Sequence, residues 1–174
     1  MKQPATAALL LAAATIAPVA SADPTSGTVA RFIGSWEGEG TVRPKGFGAP
    51  EAVRCKAQGK GMNDVQIRFE GRCATASGSG SFRIFLAQDA AGERFVAKVR
   101  LTGGEKMIDF AGRALEHDIV LSQKNPVTSG KRELTAELTL SLSSEDTIGM
   151  ANRLTDLISG EEAEALSVTF RKRP

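Results

Sequence analysis

The sequence contains few of the side chains that most often carry chemistry. Its 174 residues include one histidine, one tryptophan, two cysteines and no tyrosine. A metal site needs several ligands, and a catalytic triad has a single histidine to draw on. The formal net charge is +2, so electrostatics gives no reason to expect a nucleic-acid partner. We therefore expect no enzyme, no catalytic residue, no metal and no cofactor.

The first 22 residues have the pattern of a Sec signal peptide. Lys2 supplies a positive start, and Ala7 to Ala17 is an apolar run too short to cross a membrane as a helix. Ala20-Ser21-Ala22 is an A-x-A cleavage site. The alternative is a retained N-terminal anchor. Cleavage after Ala22 leaves one domain, residues 23–174, with no transmembrane segment. We expect a periplasmic location, because the sequence has no N-x-S/T glycosylation acceptor.

The rest of the chain reads as a meander of short strands. Apolar and polar residues alternate in most segments, as in strands with one buried face. The clearest inward row is Phe95, Ala97, Val99 and Leu101, and a second runs from Val65 to Cys73. Residues 23–26 can cap a short helical turn that runs to Phe32.

One segment near the C-terminus has a different period. Ile148, Ala151, Leu154 and Ile158 recur at helical spacing, and Gly160 follows as a stop signal. This pattern predicts a helix from about Glu145 to Ser159. The predicted fold class is therefore all-β: an antiparallel meander of about nine strands closing into a small barrel, with one N-terminal helical turn and one helix near the C-terminus.

The first predicted strand, F-I-G-S-W-E-G-E-G-T-V-R from Phe32 to Arg43, organises the chain. Alternation places Trp36, Gly38, Gly40 and Val42 on the inner face. One large ring followed by two glycines suits a strand whose tryptophan plugs one end of a barrel. Glu37 and Glu39 fall on the outer face, so we interpret them as solvated residues rather than an acid–base pair.

This strand also resembles known barrels. Its Gly34-Ser35-Trp36 resembles the Gly-x-Trp of lipocalins and other calycins, and the longer run G-S-W-E-G-E-G is similar to the first strand of nitrobindin-type barrels. The resemblance implies a lipocalin-like barrel. Nitrobindin-type barrels bind haem through a histidine near the C-terminus. No histidine follows His117 here, so we expect no haem.

The two cysteines predict a disulfide. In an oxidising compartment an isolated pair is most simply bonded, although two free thiols or half of a metal site are alternatives. A hairpin centred on Asp64 places Cys55 opposite Cys73, within disulfide reach. The same register sets Lys56 against Arg72 and Lys60 against Arg68 on the outer face, which is unfavourable.

The aromatic residues suggest two functions. Inward rings either fill the core or line one apolar pocket, and the pocket candidates are Trp36, Phe69, Phe82, Phe95 and Phe110. The first hypothesis is a periplasmic module that binds a small apolar ligand. The second is an envelope interaction protein, such as a small protease inhibitor, that binds a protein partner through the loops Pro44–Pro50 and Lys124–Lys131. His117 lies in a predicted exposed turn, which leaves an enzyme as a distant third hypothesis.

Overall fold

The computed structural model describes residues 27–104 and 106–174, and it contains one 3-10 helix and eleven strands within them. The 3-10 helix is Thr28–Phe32. The strands are β1 (Gly34–Val42), β2 (Glu51–Asn63), β3 (Gln66–Ala74), β4 (Ser79–Gln88), β5 (Arg94–Leu101), β6 (Ile108–Leu115), β7 (Asp118–Gln123), β8 (Val127–Ser129), β9 (Arg132–Ser144), β10 (Thr147–Asp156) and β11 (Glu162–Lys172). The predicted signal peptide lies outside the described residues.

Ten of these strands close into a barrel. Each pairs antiparallel with its neighbours from β1 to β7, then β7 pairs with β9, β9 with β10, β10 with β11, and β11 with β1. The three-residue β8 lies outside this ring and pairs only with β9. The predicted antiparallel meander and its closure are confirmed, with ten barrel strands and one extra strand instead of about nine.

The predicted helix from Glu145 to Ser159 is wrong. This segment forms β10, which pairs with β9 on one side and β11 on the other. Ile148, Met150 and Leu154 also fit a period of two, and this alternation directs Ile148 and Met150 into the core. A helix here would leave the facing edges of β9 and β11 unpaired, so the hydrogen bonds of barrel closure override the local helical spacing.

The two ends of the barrel differ, and we call them the floor and the mouth. The floor is the end where β1 begins, beside the 3-10 helix, and the mouth is the end where β1 finishes at Val42. Gly59 lies at the floor, where an added Cβ would come 1.7 Å from the carbonyl oxygen of Phe32. Only glycine permits this close approach between β2 and the end of the 3-10 helix.

The predicted pairing of β2 with β3 is confirmed. Cys55 lies opposite Cys73, the two form a disulfide, and their Cα atoms are 4.0 Å apart. Lys56 does face Arg72, but the Lys56 Nζ also lies 3.9 Å from a carboxylate oxygen of Glu37 on β1. The neighbouring strand therefore relieves part of the like-charge opposition in this hairpin.

Two predicted inward positions are wrong. Val65 lies in the turn between β2 and β3, and Leu101 ends β5 at the mouth, and both side chains are exposed. Each is at the end of its alternating run, where the sheet no longer covers it. Among the described residues, no helix is long and apolar enough to cross a membrane.

Candidate functional site at the mouth of a filled barrel

The five predicted pocket residues pack into the barrel core. Trp36, Phe69 and Phe95 are each 1% exposed, Phe110 is 3% and Phe82 is 9%. The ring centroid of Phe69 lies 5.6 Å from that of Phe82 and 5.5 Å from that of Phe170. These are the separations of aromatic rings in direct contact. The structure therefore brings the rings together at distances that leave no room for a ligand between Phe69 and its neighbours.

The filling extends around the barrel. Leu86, Ile119, Leu121 and Phe170 lie on three different strands, and each is 0% exposed. A void large enough for a ligand would leave surface that water could reach on the side chains lining it. Two concavities formed by the described residues have volumes of about 530 Å³ and about 290 Å³, and Phe82 is the only one of the five predicted pocket residues that contributes to either.

The floor is closed by Trp36. Its indole Nε1–H donates a hydrogen bond of 2.9 Å to the carbonyl oxygen of Phe32, at the end of the 3-10 helix. Lys172, at the end of β11, places its Nζ 5.7 Å from the centroid of the tryptophan ring. The predicted plug at one end of the barrel is therefore present, with its one polar atom satisfied.

The mouth is held by a cluster of polar and aromatic contacts centred on Arg132, at the start of β9. Its guanidinium lies 3.5 Å from the carboxylate of Asp156 and 2.9 Å from that of Glu161. The same guanidinium covers the ring of Phe47, at 4.4 Å from the centroid. Phe47 belongs to the loop that joins β1 to β2, so Arg132 connects that loop to β9.

Asp156 is the one buried charged residue among the described residues, at 4% exposed. The backbone N–H of Ile158 donates to its carboxylate at 3.0 Å. This hydrogen bond, helped by Ser159 and Arg132, holds the pKa of Asp156 below its usual value despite burial. The group is therefore a fixed anion at neutral pH that shapes the turn between β10 and β11, and it is unsuited to acid–base catalysis.

An exposed apolar ridge lies beside this cluster. We call Val127, Leu157 and Ile158 the mouth ridge; all three are exposed, and Ile158 is 70% exposed. The register places all three at the same part of the mouth, because Val127 and Asp156 lie on either side of Leu134, with β9 between them. The N–H of Leu157 donates to the carbonyl oxygen of Glu133, which fixes the ridge on β9.

Other sequence-derived candidates lie outside both regions. His117 is in an exposed turn between β6 and β7, as predicted. Glu37 and Glu39 are on the outer face, where they pair with Lys56 and Arg54. The described residues contain no group of three metal-ligating side chains. Sequence reasoning did not find the Arg132 cluster, since its members are separated in sequence and have no motif.

Comparison with known proteins identifies a similar fold but does not identify a family. No protein-family model matches the chain, and no curated protein sequence matches it. The crystal structure of Rv2717c from M. tuberculosis is similar, with a TM-score of 0.60, 11% sequence identity, and coverage of 84% of this chain and 95% of that chain. The two share a barrel fold. At this identity the similarity indicates the fold alone, and the closed antiparallel barrel is consistent with the lipocalin-like fold predicted from the first strand.

Proposed function

We propose that this chain is an envelope interaction protein, in which a filled barrel holds a protein-binding surface at its mouth. The observation that carries the proposal is the near-zero exposure of the inward side chains on both halves of the barrel. A barrel that binds a small apolar ligand needs interior space. Here the aromatic rings occupy that space themselves.

The mouth ridge is the surface that best fits a protein partner. Its aliphatic side chains are exposed at one part of the mouth, and hydrogen bonds to β9 hold both of its segments in place. Apolar residues surrounded by charged ones are typical of the centre and rim of a protein interface. Arg132, Glu133 and Glu161 supply that charged surround. Val127 lies in Lys124–Lys131, one of the two loops that the sequence indicated, of which residues 127–129 form β8.

The first experiment separates this proposal from ligand binding in the interior. Melting the mature protein with and without a fatty acid or a hydrophobic dye would reveal a bound ligand, because a ligand of the folded state raises Tm by mass action. We expect no increase. We also expect Phe69→Ala and Phe95→Ala to destabilise by about 3–5 kcal/mol each, as in a filled core. A ligand-dependent rise in Tm, together with small penalties for these variants, would favour the binding hypothesis.

The second experiment tests the mouth ridge. The full mature chain and the variants Ile158→Asp and Leu115→Asp are immobilised and exposed to envelope extract, and the retained proteins are quantified. Leu115 is a matched control, since it is an exposed leucine at the floor. We expect a partner that is retained by the parent and by Leu115→Asp but lost with Ile158→Asp. Equal retention by all three would exclude the ridge as the binding surface.

A further inference from the structure

The outer wall of the barrel carries a groove that the proposed function does not use. It has a volume of about 530 Å³ and lies across β3, β4 and β5 near the mouth. Its lining consists of Glu70, Gly71, Ser81, Phe82, Arg83, Arg100, Leu101, Thr102, Gly103 and Gly104. The charged and hydroxyl side chains among these alternate with a row of paired residues, Gly71, Phe82 and Leu101. The groove is therefore on the outside, with the backbone of that row as its base. We propose that it binds the phosphate group of an anionic ligand.

Two arginines face each other in this groove. Arg83 on β4 lies directly opposite Arg100 on β5. Like charges placed opposite each other across two strands destabilise a sheet. An anion held between two guanidinium groups would remove this repulsion, because each guanidinium can offer two parallel N–H donors to a phosphate.

Glu70, the one acidic residue among the described lining residues, does not balance these two charges. Glu70 accepts a hydrogen bond of 2.7 Å from Arg83 Nε and also lies 3.4 Å from Arg68 Nε. One carboxylate is thus shared by two arginines. Arg100 has no ion pair with any acid in residues 27–104 or 106–174. The described residues that line the groove therefore include two guanidinium groups and one carboxylate.

Hydroxyl groups and glycines complete the site. Ser81 and Thr102 lie two residues along their strands from Arg83 and Arg100, on the same outer face and closer to the mouth. Their hydroxyl oxygens are 2.9 Å apart. The Thr102 hydroxyl also donates to the carbonyl oxygen of Ser81 at 3.1 Å, so the Ser81 hydroxyl donates to Thr102 and the pair fixes this end of the groove. Gly103 and Gly104 leave that end of the groove without side chains, and Gly103 has a φ of 78°. Phosphate oxygens can therefore approach the two guanidinium groups from an end of the groove that is free of bulky side chains.

The size of the groove suggests that the phosphate belongs to a larger molecule. At about 530 Å³ it exceeds the space needed for a phosphate alone and falls in the range of small-molecule sites. A phospholipid headgroup and a soluble phosphorylated metabolite share this chemistry. The site is distinct from the mouth ridge, so each can exist without the other.

The test uses inorganic phosphate as the probe and follows Tm and backbone amide chemical shifts at constant ionic strength, with chloride as the reference anion. We expect phosphate to raise the Tm and to shift the amide signals of Ser81 and Thr102. Arg100→Gln should weaken phosphate binding at least tenfold. Without phosphate at low salt, the same variant should melt at a temperature equal to or above that of the parent, because it removes the repulsion.

The matched control is Arg113→Gln. Arg113 lies directly opposite Arg94 across β5 and β6, so the variant relieves an equivalent like-charge pair. Neither Arg94 nor Arg113 lines the groove. Phosphate binding should survive in this variant. An equal loss in Arg113→Gln and Arg100→Gln would show a general charge effect, and the absence of any phosphate response in the parent would overturn the proposal directly.

Vesicles then distinguish the two sources of phosphate. If the ligand is a phospholipid, the parent should sediment with phosphatidylglycerol vesicles but not with phosphatidylcholine vesicles, and Arg100→Gln should remain in solution. If the ligand is soluble, inorganic phosphate should bind and neither vesicle should sediment the protein. Sedimentation that is equal for the parent and Arg100→Gln would overturn the assignment of lipid binding to this groove.

Discussion

The floor and the mouth of the barrel are closed by different kinds of interaction. At the floor, Trp36 is buried and donates to Phe32, four residues earlier in the sequence. At the mouth, Arg132 joins Phe47 to Asp156 and Glu161 through a guanidinium that is partly in solvent. Burial of a large ring stabilises a fold far more than a solvent-screened ion pair does. The floor therefore contributes most of the stability of closure, and the mouth can be remodelled at lower cost by a partner.

The largest expected effect is at the floor. Replacing Trp36 with Ala removes the plug and leaves a cavity, so the free energy of unfolding should fall by about 3–5 kcal/mol. This loss can be measured by urea unfolding followed by far-ultraviolet circular dichroism. Tryptophan fluorescence cannot be used, since the variant lacks the only tryptophan.

Trp36→Phe is the matched control, because it keeps an aromatic ring but removes the donor to Phe32. We expect its free energy of unfolding to lie between those of the parent and the alanine variant. An alanine variant as stable as the parent would contradict the role given to the floor.

The next effect concerns the disulfide, which lies on β2 and β3 in the half of the barrel nearer the mouth. Cys55 and Cys73 are separated by 18 residues in sequence. Closing a loop of this length should stabilise the fold by about 3 kcal/mol in the chain-entropy model. The double variant Cys55→Ala/Cys73→Ala should show this loss in urea unfolding. Thiol titration of the denatured, unreduced protein should find no free thiol, whereas two free thiols would refute the bond.

A smaller effect is the pH dependence of the mouth. The pKa of Asp156 is held below its unfolded value, chiefly by the N–H of Ile158. The ionised group therefore stabilises the fold at pH above its unfolded pKa of about 3.9, and this contribution is lost as pH falls through the lower folded pKa. The stability difference between the parent and Asp156→Asn should shrink as the pH falls below about 4.

Urea midpoints measured from neutral pH down to the acid range test this expectation. Asp64→Asn is the control, because Asp64 is an exposed turn residue at the floor. A difference between the parent and Asp156→Asn that stays constant over this range would mean that the charge of Asp156 is not what stabilises the mouth.

The smallest effect should be at Phe47. A cation–π contact at an exposed site contributes about 0.5–1 kcal/mol, so Phe47→Ala should barely change the global stability. Hydrogen exchange in residues 43–50 should become faster, because the loop loses its contact with Arg132. Exchange at the floor serves as the internal control. Unchanged exchange in the loop would show that other contacts hold it.

The features that local sequence determines were predictable. The inward face of β1 follows from alternation around Trp36, and the register of β2 with β3 follows from the short hairpin that brings Cys55 opposite Cys73. Both features depend on residues close together in sequence. The confirmed barrel closure was inferred from the succession of such hairpins.

The features that depend on distant partners were not predictable. The segment around Ile148 fits both a helical and a strand period, and only the open edges of β9 and β11 decide between them. The sequences of a hollow barrel and a filled barrel show the same alternation of polar and apolar residues. The pattern therefore could not predict whether the ring of Phe69 contacts that of Phe170. The contact between Phe47 and Arg132 joins a loop to the start of a distant strand, and no sequence motif links the two.

The pairing of β1 with β11 has a consequence for how the molecule is made. The barrel closes where the first strand meets the last, and Arg173 reinforces that seam with an ion pair of 3.3 Å to Glu37. Until β11 has been synthesised, β1 and β10 each present an unsatisfied edge, and such edges favour pairing with other chains. Folding must therefore await the C-terminal strand. A chain cut short before Glu162 should aggregate rather than fold into a smaller barrel.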